Sequence, residues 1–259
     1  MTAPVFVADP DDLASALVGG TVRLDGAEGR HAAAVVRVGA GDAVDLVDGR
    51  GRRARGIVEE VDGRSAIVIR VHSVRDDPDP GLRLTVVQAL PKGDRGELAV
   101  ELLTEVGVDA IVPWAAAHCI AQWRGERVDR GLRKWTDAAH AAGKQSRRAR
   151  FPAVAGLAST EDVVGRIASA SLALVLDEEA DAPLAAVPLP STGEVVVIVG
   201  PEGGLAASER AEFAAAGAHA VRLGPTVLRT STAGMAAAAV ILARTGQWSA
   251  PATHPSVEG

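Results

Sequence analysis

The chain has 259 residues, 47% of them hydrophobic and 23% charged, a globular balance that excludes disorder and allows one large domain or two unequal ones. Its single cysteine, Cys119, excludes an intramolecular disulfide and any multi-cysteine metal site, and no secretory leader or run of 18 apolar residues is present, so a soluble cytoplasmic protein with no membrane contact is expected. The formal net charge of −6 argues weakly against nucleic acid, but net charge hides distribution.

Residues 1–75 read as short strands with turn punctuation: Thr21-Val-Arg-Leu, Ala43-Val-Asp-Leu-Val, Arg55-Gly-Ile-Val-Glu-Glu-Val and Ala66-Ile-Val-Ile-Arg-Val. Gly39, Gly41, Asp48-Gly49 and Asp62-Gly63 supply turns, and residues 31–38 read as a short helix. Strands this closely spaced suggest a small barrel. Arg50, Arg52, Arg53 and Arg55 form one basic cluster inside it. Residues 76–81, Asp-Asp-Pro-Asp-Pro-Gly, then break all periodicity and form a linker.

From residue 82 to 249 the rhythm becomes strand, helix, strand. Leu82-Arg-Leu-Thr-Val-Val-Gln-Ala-Leu is a buried-type strand. Asp94 is placed to cap a helix running to Val106, with Glu97 reaching back as in a capping box. Leu98, Leu102 and Val106 make its apolar stripe, and Ala110-Ile-Val-Pro-Trp is the next strand. A basic helix over residues 127–142 follows, within a second cluster that includes Lys144, Arg147 and Arg148. Two basic clusters in an acidic protein point towards a polyanion.

Ser171-Leu-Ala-Leu-Val-Leu and Glu194-Val-Val-Val-Ile-Val are two more buried strands, the second followed by a glycine loop and a helix from residue 208. Val221-Arg-Leu is a short strand, and residues 232–245 form a last helix, apolar nearly all round and therefore buried in the core or against a partner. The alternation means an α/β domain with a mostly parallel sheet. Residues 250–259 read as a disordered tail.

Two stretches carry chemistry. In Val197-Ile-Val-Gly-Pro-Glu-Gly-Gly-Leu205, a buried strand ends in Gly200 and Gly203-Gly204 let the backbone approach a ligand closely. It matches neither the nucleotide-phosphate loop nor the dinucleotide fingerprint. In Leu223-Gly-Pro-Thr-Val-Leu-Arg-Thr-Ser-Thr-Ala233, Arg229 stands beside Thr230, Ser231 and Thr232, where the simplest alternative is a helix cap with a solvated arginine.

Together these motifs resemble the knotted methyltransferases of the SPOUT superfamily and, within it, the RsmE family of 16S ribosomal RNA uracil-N3 methyltransferases. Further matches are residues 31–49, Lys92-Gly93, Glu101-Leu-Leu-Thr-Glu-Val-Gly-Val-Asp109, Lys144-Gln-Ser-Arg-Arg148 and Leu176-Asp-Glu-Glu179, so the resemblance runs nearly the whole chain. It implies a PUA-like barrel that helps hold RNA, an α/β domain with a trefoil knot, and a homodimer with the cofactor pocket near its interface. The partners implied are 16S ribosomal RNA or the small ribosomal subunit, with S-adenosylmethionine as methyl donor and no metal.

By motif, the cofactor pocket is expected from Leu176, from Val199, Gly200, Glu202, Gly203 and Gly204, and from Leu223, Gly224, Val227, Leu228, Thr230 and Ser231. Arg229 is expected to stabilise negative charge on the base, with Glu202 as candidate proton acceptor. RNA contact is expected from Arg37, Arg52, Arg53, Arg55, Lys144, Arg147 and Arg148. The sequence departs from the family twice: Ser231 stands where many members are acidic, and Ala206 replaces a helix-capping Ser or Thr. The competing readings are a ribose 2′-O-methyltransferase of the same superfamily and a non-catalytic ribosome-assembly factor.

Overall fold

The computed structural model describes residues 3–249, so the expected tail at 250–259 lies outside the described residues. The described residues divide into two compact units, one of residues 3–80 with 137–152, the other of residues 81–136 with 153–249.

In the first unit, β1 (Val5–Val7), α1 (Pro10–Ala14) and β2 (Thr21–Leu24) lead to α2 (Gly26–Arg30), which continues into a wide helical turn over His31–Val36. Strands β3 (Ala43–Val47), β4 (Arg52–Asp62) and β5 (Ala66–Asp76) complete a five-stranded sheet of order β1-β3-β4-β5-β2. Alternating apolar positions of these strands close one core around Phe6, Leu13, Leu46, Ile67 and Ile69. Sequence patterning missed β1 and α1, both too short to show a period.

The second unit is built on a six-stranded parallel sheet, order β11-β9-β10-β6-β7-β8. Its strands are β6 (Leu82–Ala89), β7 (Ala110–Trp114), β8 (Ala153–Val154), β9 (Leu172–Leu176), β10 (Gly193–Val199) and β11 (His219–Val221). Both faces are covered, which is why β6 and β10 read as near-continuous Val, Ile and Leu. Its helices are α3 (Arg95–Val106), α5 (Thr160–Ser169) and α6 (Ala207–Ala215) between strands and α7 (Thr230–Arg244) after the last strand, while α4 (Glu126–Gln145) begins in this unit and its residues from 137 onward belong to the first.

Strand order departs from chain order at two places: β10 sits between β9 and β6, and β11 pairs with β9 on its other side. The register sets Gln88, Leu176, Val199 and Val221 level at the carboxyl ends of four neighbouring strands. Such a reversal opens a crevice at the carboxyl ends of the strands, where α/β proteins hold ligands.

Three expectations are corrected. The capping box at α3 does not form: Asp94 takes the cap position with ψ near 3°, which turns its carboxylate away from the helix amides, and Glu97 pairs instead with Lys134 Nζ at 3.3 Å. The buried face of α3 is Ala99, Val100 and Leu103, while Leu98 of the expected stripe is 44% exposed. The cause is α7, whose Gly234 lies close to Leu103, Val86 and Val199, so small residues at the contact decide which face is covered. The strand placed at Val221-Arg-Leu lies two residues earlier, because Arg222 leaves the sheet to bond the carbonyls of Ala180 and Asp181 at 3.1 and 2.6 Å.

Candidate active site

Three chain segments meet at the crevice. A cleft there is lined by Leu176 and Asp177 after β9, by Val199, Gly200, Pro201, Gly204 and Leu205 after β10, and by residues 221–228 with Thr230 and Ala233 after β11. Asp177 N–H donates to the Val221 carbonyl at 3.0 Å, and Arg222 N–H and C=O bond to Ala182 and Leu184, each at 2.9 Å. These bonds draw the segment after β11 against the loop between β9 and β10.

The glycine loop is held from within and from outside. Gly204 N–H donates to the Pro201 carbonyl at 2.9 Å, and Gly204 has φ +72°, a left-handed conformation that favours glycine. Its carbonyl faces His118 Nδ1 at 3.1 Å. Behind the loop α6 begins at Ala206, which offers no capping oxygen; Glu209 Oε2 reaches back to its N–H at 2.9 Å and supplies half of a capping box.

The cleft has apolar walls in Leu176, Leu223, Val227 and Leu228, and a charged end. Asp177 Oδ2 accepts from Arg210 Nε at 3.0 Å, and its side chain is 10% exposed. Apolar walls with a few convergent polar groups describe a small-molecule site. Asp177 and Glu178, both lining the cleft, add carboxylates beside these apolar walls.

Of the residues expected at the cofactor, Leu176, Val199, Gly200, Gly204, Leu223, Gly224, Val227, Leu228 and Thr230 line this cleft. Glu202, Gly203 and Ser231 do not line it. Glu202 is exposed, and its Oε1 accepts the Lys92 N–H at 3.3 Å. Gly203 lies against His118, and Ser231 is buried at the start of α7. Arg229 is the exposed residue that caps α7, with extended backbone at φ −67°, ψ 150°, and its carbonyl accepts from the Thr232 N–H and hydroxyl. Sequence reasoning missed Asp177 and Arg210. The carboxyl-end rule would have found Asp177, one residue past Leu176.

The expected RNA contacts lie in the first unit and differ in freedom. Lys144 and Arg147 line a groove with His31 and Val36, and exposed Arg37 follows Val36. Arg37 and Arg147 both adopt left-handed backbone, φ 62° and 60°, strain that concentrates at functional sites. Lys144 Nζ is held by Glu28 at 2.6 and 2.8 Å, Arg52 by Asp76 at 3.0 Å, and Arg148 Nε donates to the Arg150 carbonyl at 2.8 Å. Arg53 is buried, 3.5 Å from Asp45, and donates to the Arg147 carbonyl at 2.7 Å; Arg55 approaches the same Asp45 at 3.6 Å. Burial lowers the Arg53 pKa, with Asp45 opposing the fall. Among the described residues no helix is long and apolar enough to cross a membrane.

Comparison with known proteins agrees with this geometry. A model of the RNA methyltransferase domain matches residues 78–242, and one of the RNA methyltransferase PUA domain matches residues 24–70. The ribosomal RNA small subunit methyltransferase E of Mycobacterium tuberculosis (strain CDC 1551 / Oshkosh) is 46% identical over 259 residues, covering 98% of this chain and 96% of the relative. The protein of that name from Bacillus subtilis (strain 168) is 25% identical, covering 85% and 89%. Among solved structures, that enzyme from Neisseria gonorrhoeae, bound to S-adenosyl methionine, superposes with TM-score 0.81 at 28% identity, covering 93% and 98%. A Legionella pneumophila protein in complex with the bound cofactor SAM gives 0.82 at 25% identity, covering 94% and 98%.

Proposed function

The chain belongs to the ribosomal RNA small subunit methyltransferase E family, and from that premise we propose that it methylates N3 of a uridine in 16S ribosomal RNA, using S-adenosylmethionine, in the cytoplasm. The observation that carries the reading is the meeting of residues 176–178, 199–205 and 221–230 in one cleft at the reversal of strand order.

Bound in the cleft, S-adenosylmethionine supplies an electrophilic methyl group. Leu176, Leu223, Val227 and Leu228 would hold its adenine, and Val199, Gly200 and Gly204 would let backbone approach it; Asp177 and Glu178 would face its charged end. Glu202, Gly203 and Ser231 support the site from outside the walls. N3 of uracil lies on the pairing edge, so the base must leave its stack to react. Arg229 stabilises the negative charge that develops on the ring oxygens, and Glu202 accepts the N3 proton. Holding base and donor in line contributes roughly 7–11 kcal/mol of barrier lowering.

The first unit acts as a PUA-like barrel that grips RNA through Arg37, Lys144 and Arg147, with Arg52, Arg55 and Arg148 at its margin and Arg53 as internal support. The second folds as a trefoil knot, in which the segment after β11 lies against the loop after β9 through the hydrogen bonds of Arg222 to Ala180, Asp181, Ala182 and Leu184. The subunits pair as a homodimer over the exposed Leu98, Val227 and Leu228.

The test is mass spectrometry of nucleosides from 16S RNA of 30S particles taken from a strain lacking the enzyme, before and after incubation with the protein. Appearance of 3-methyluridine supports the reading; a 2′-O-methylated nucleoside, or none, overturns it.

A further inference from the structure

The cofactor cleft uses only part of the sheet's carboxyl edge. Strands β6 and β7 lie beyond β10, and the loops that leave them, residues 90–94 and 115–125, enclose a second cavity. Pro91, Gly93, Asp94, Glu97, Trp123 and Trp135 line it. Glu202, on the cofactor loop, accepts the Lys92 N–H at 3.3 Å and so stands between cleft and cavity. Strand ends in one sheet are roughly 4.8 Å apart, so the two spaces are neighbours.

The cavity is built around two indoles. Trp123 and Trp135 meet edge to face, centroids 5.3 Å apart at 80°. Each rests on a glycine: a Cβ on Gly131 would lie 2.5 Å from the Trp123 ring, and one on Gly96 would lie 2.9 Å from Trp135 Nε1. Trp135 is 2% exposed, and among the described residues its Nε1–H has no acceptor. Because Trp135 lines the cavity, that donor is open to an acceptor that enters it.

We propose that this cavity receives the uracil that accepts the methyl group, an inference that rests on the base-methylating function above. The base stacks on Trp123, and Trp135 Nε1–H donates to the O4 carbonyl. That bond selects uracil over cytosine, whose exocyclic amine at the O4 position is a donor and meets the indole N–H with like polarity. With a carbonyl held inside, the N3 edge turns to the mouth, where Glu202 stands. The N3–C bond forms as the sulfur–methyl bond breaks, and the N3 proton passes to Glu202 and then to water.

The experiment compares wild type, W135F, W123F and W123A on 30S particles from a strain lacking the enzyme, with cofactor affinity measured by calorimetry. W135F is expected to lower kcat/KM roughly tenfold, the effect of one lost hydrogen bond, while cofactor affinity stays unchanged and Tm falls only by the lost packing. W123A is expected to lose about ten- to hundredfold, the range for one base–aromatic stack, with W123F recovering most of it. RNA carrying 4-thiouridine at the modified position should crosslink to the peptide containing Trp123. Wild-type kcat/KM in both W135F and W123A, or a crosslink mapped elsewhere, overturns the pocket. A wild-type protein that methylates no base overturns the functional reading and the pocket with it, so the two failures are distinct.

Discussion

Glu209 Oε1 accepts the Ala117 N–H at 2.8 Å and so joins helix α6 to the loop that follows β7. Its other oxygen holds Ala206, and the Thr160 hydroxyl lies 3.4 Å from Oε1, so a carboxylate only 2% exposed is satisfied on both sides. Replacing it by alanine leaves two N–H groups without acceptors, at roughly 1–3 kcal/mol each when buried. Glu209→Ala should therefore lower stability by about 2–4 kcal/mol in urea unfolding, and weaken cofactor binding because the 200–206 loop loses its anchor. Unchanged unfolding would remove Glu209 from this role.

Arg229 is exposed and outside the cleft lining, next to Thr230 within it. Removing one donor to a developing oxyanion typically costs about 100- to 1000-fold in turnover. Arg229→Ala should lose turnover on that scale with adenosylmethionine affinity held within about twofold. Lost cofactor binding in calorimetry would place the arginine at the cofactor instead.

The basic residues of the first unit separate by burial. Asp45→Ala strands the buried Arg53 and should cost about 3–5 kcal/mol of stability. Arg37→Ala should leave stability alone and reduce the salt dependence of RNA binding by a slope of roughly 0.7–0.9, that of one phosphate contact. Arg53→Met should leave the slope unchanged. Urea unfolding reads the stability of Asp45→Ala and filter binding across a salt series reads the two slopes; a reduced slope for Arg53→Met would assign that side chain to RNA.

Cys119 is 8% exposed, and burial raises its thiol pKa. Since only the thiolate attacks, its fraction at neutral pH falls below that of a free cysteine. The native protein should react slowly with a thiol-specific disulfide reagent at pH 7.5 and promptly in denaturant. A fast native reaction would mean that the 115–125 loop opens readily.

The sheet strands were legible because burial on both faces writes continuous apolar runs, as in Val195-Val-Val-Ile-Val199. The cleft was legible through motif resemblance, and nine of its expected residues line it. What escaped was set by distant partners. Helix α5 is the exception, since the capping box of Ser159 and Asp162 at its start is local and was readable in the sequence; Asp94 lost its capping role through backbone angle, and Glu97 to Lys134. Arg53 reads as surface charge until Asp45, eight residues earlier, is seen beside it in the folded sheet.

The cofactor cleft draws its walls from residues 176 to 233, and its last wall follows the last strand. On the proposed reading, a growing chain on the ribosome cannot recruit adenosylmethionine until residues 221–233 have been made. Cofactor binding thus doubles as a report that synthesis has reached the first turn of α7, and any product truncated before Leu223 lacks that wall however well its earlier strands fold.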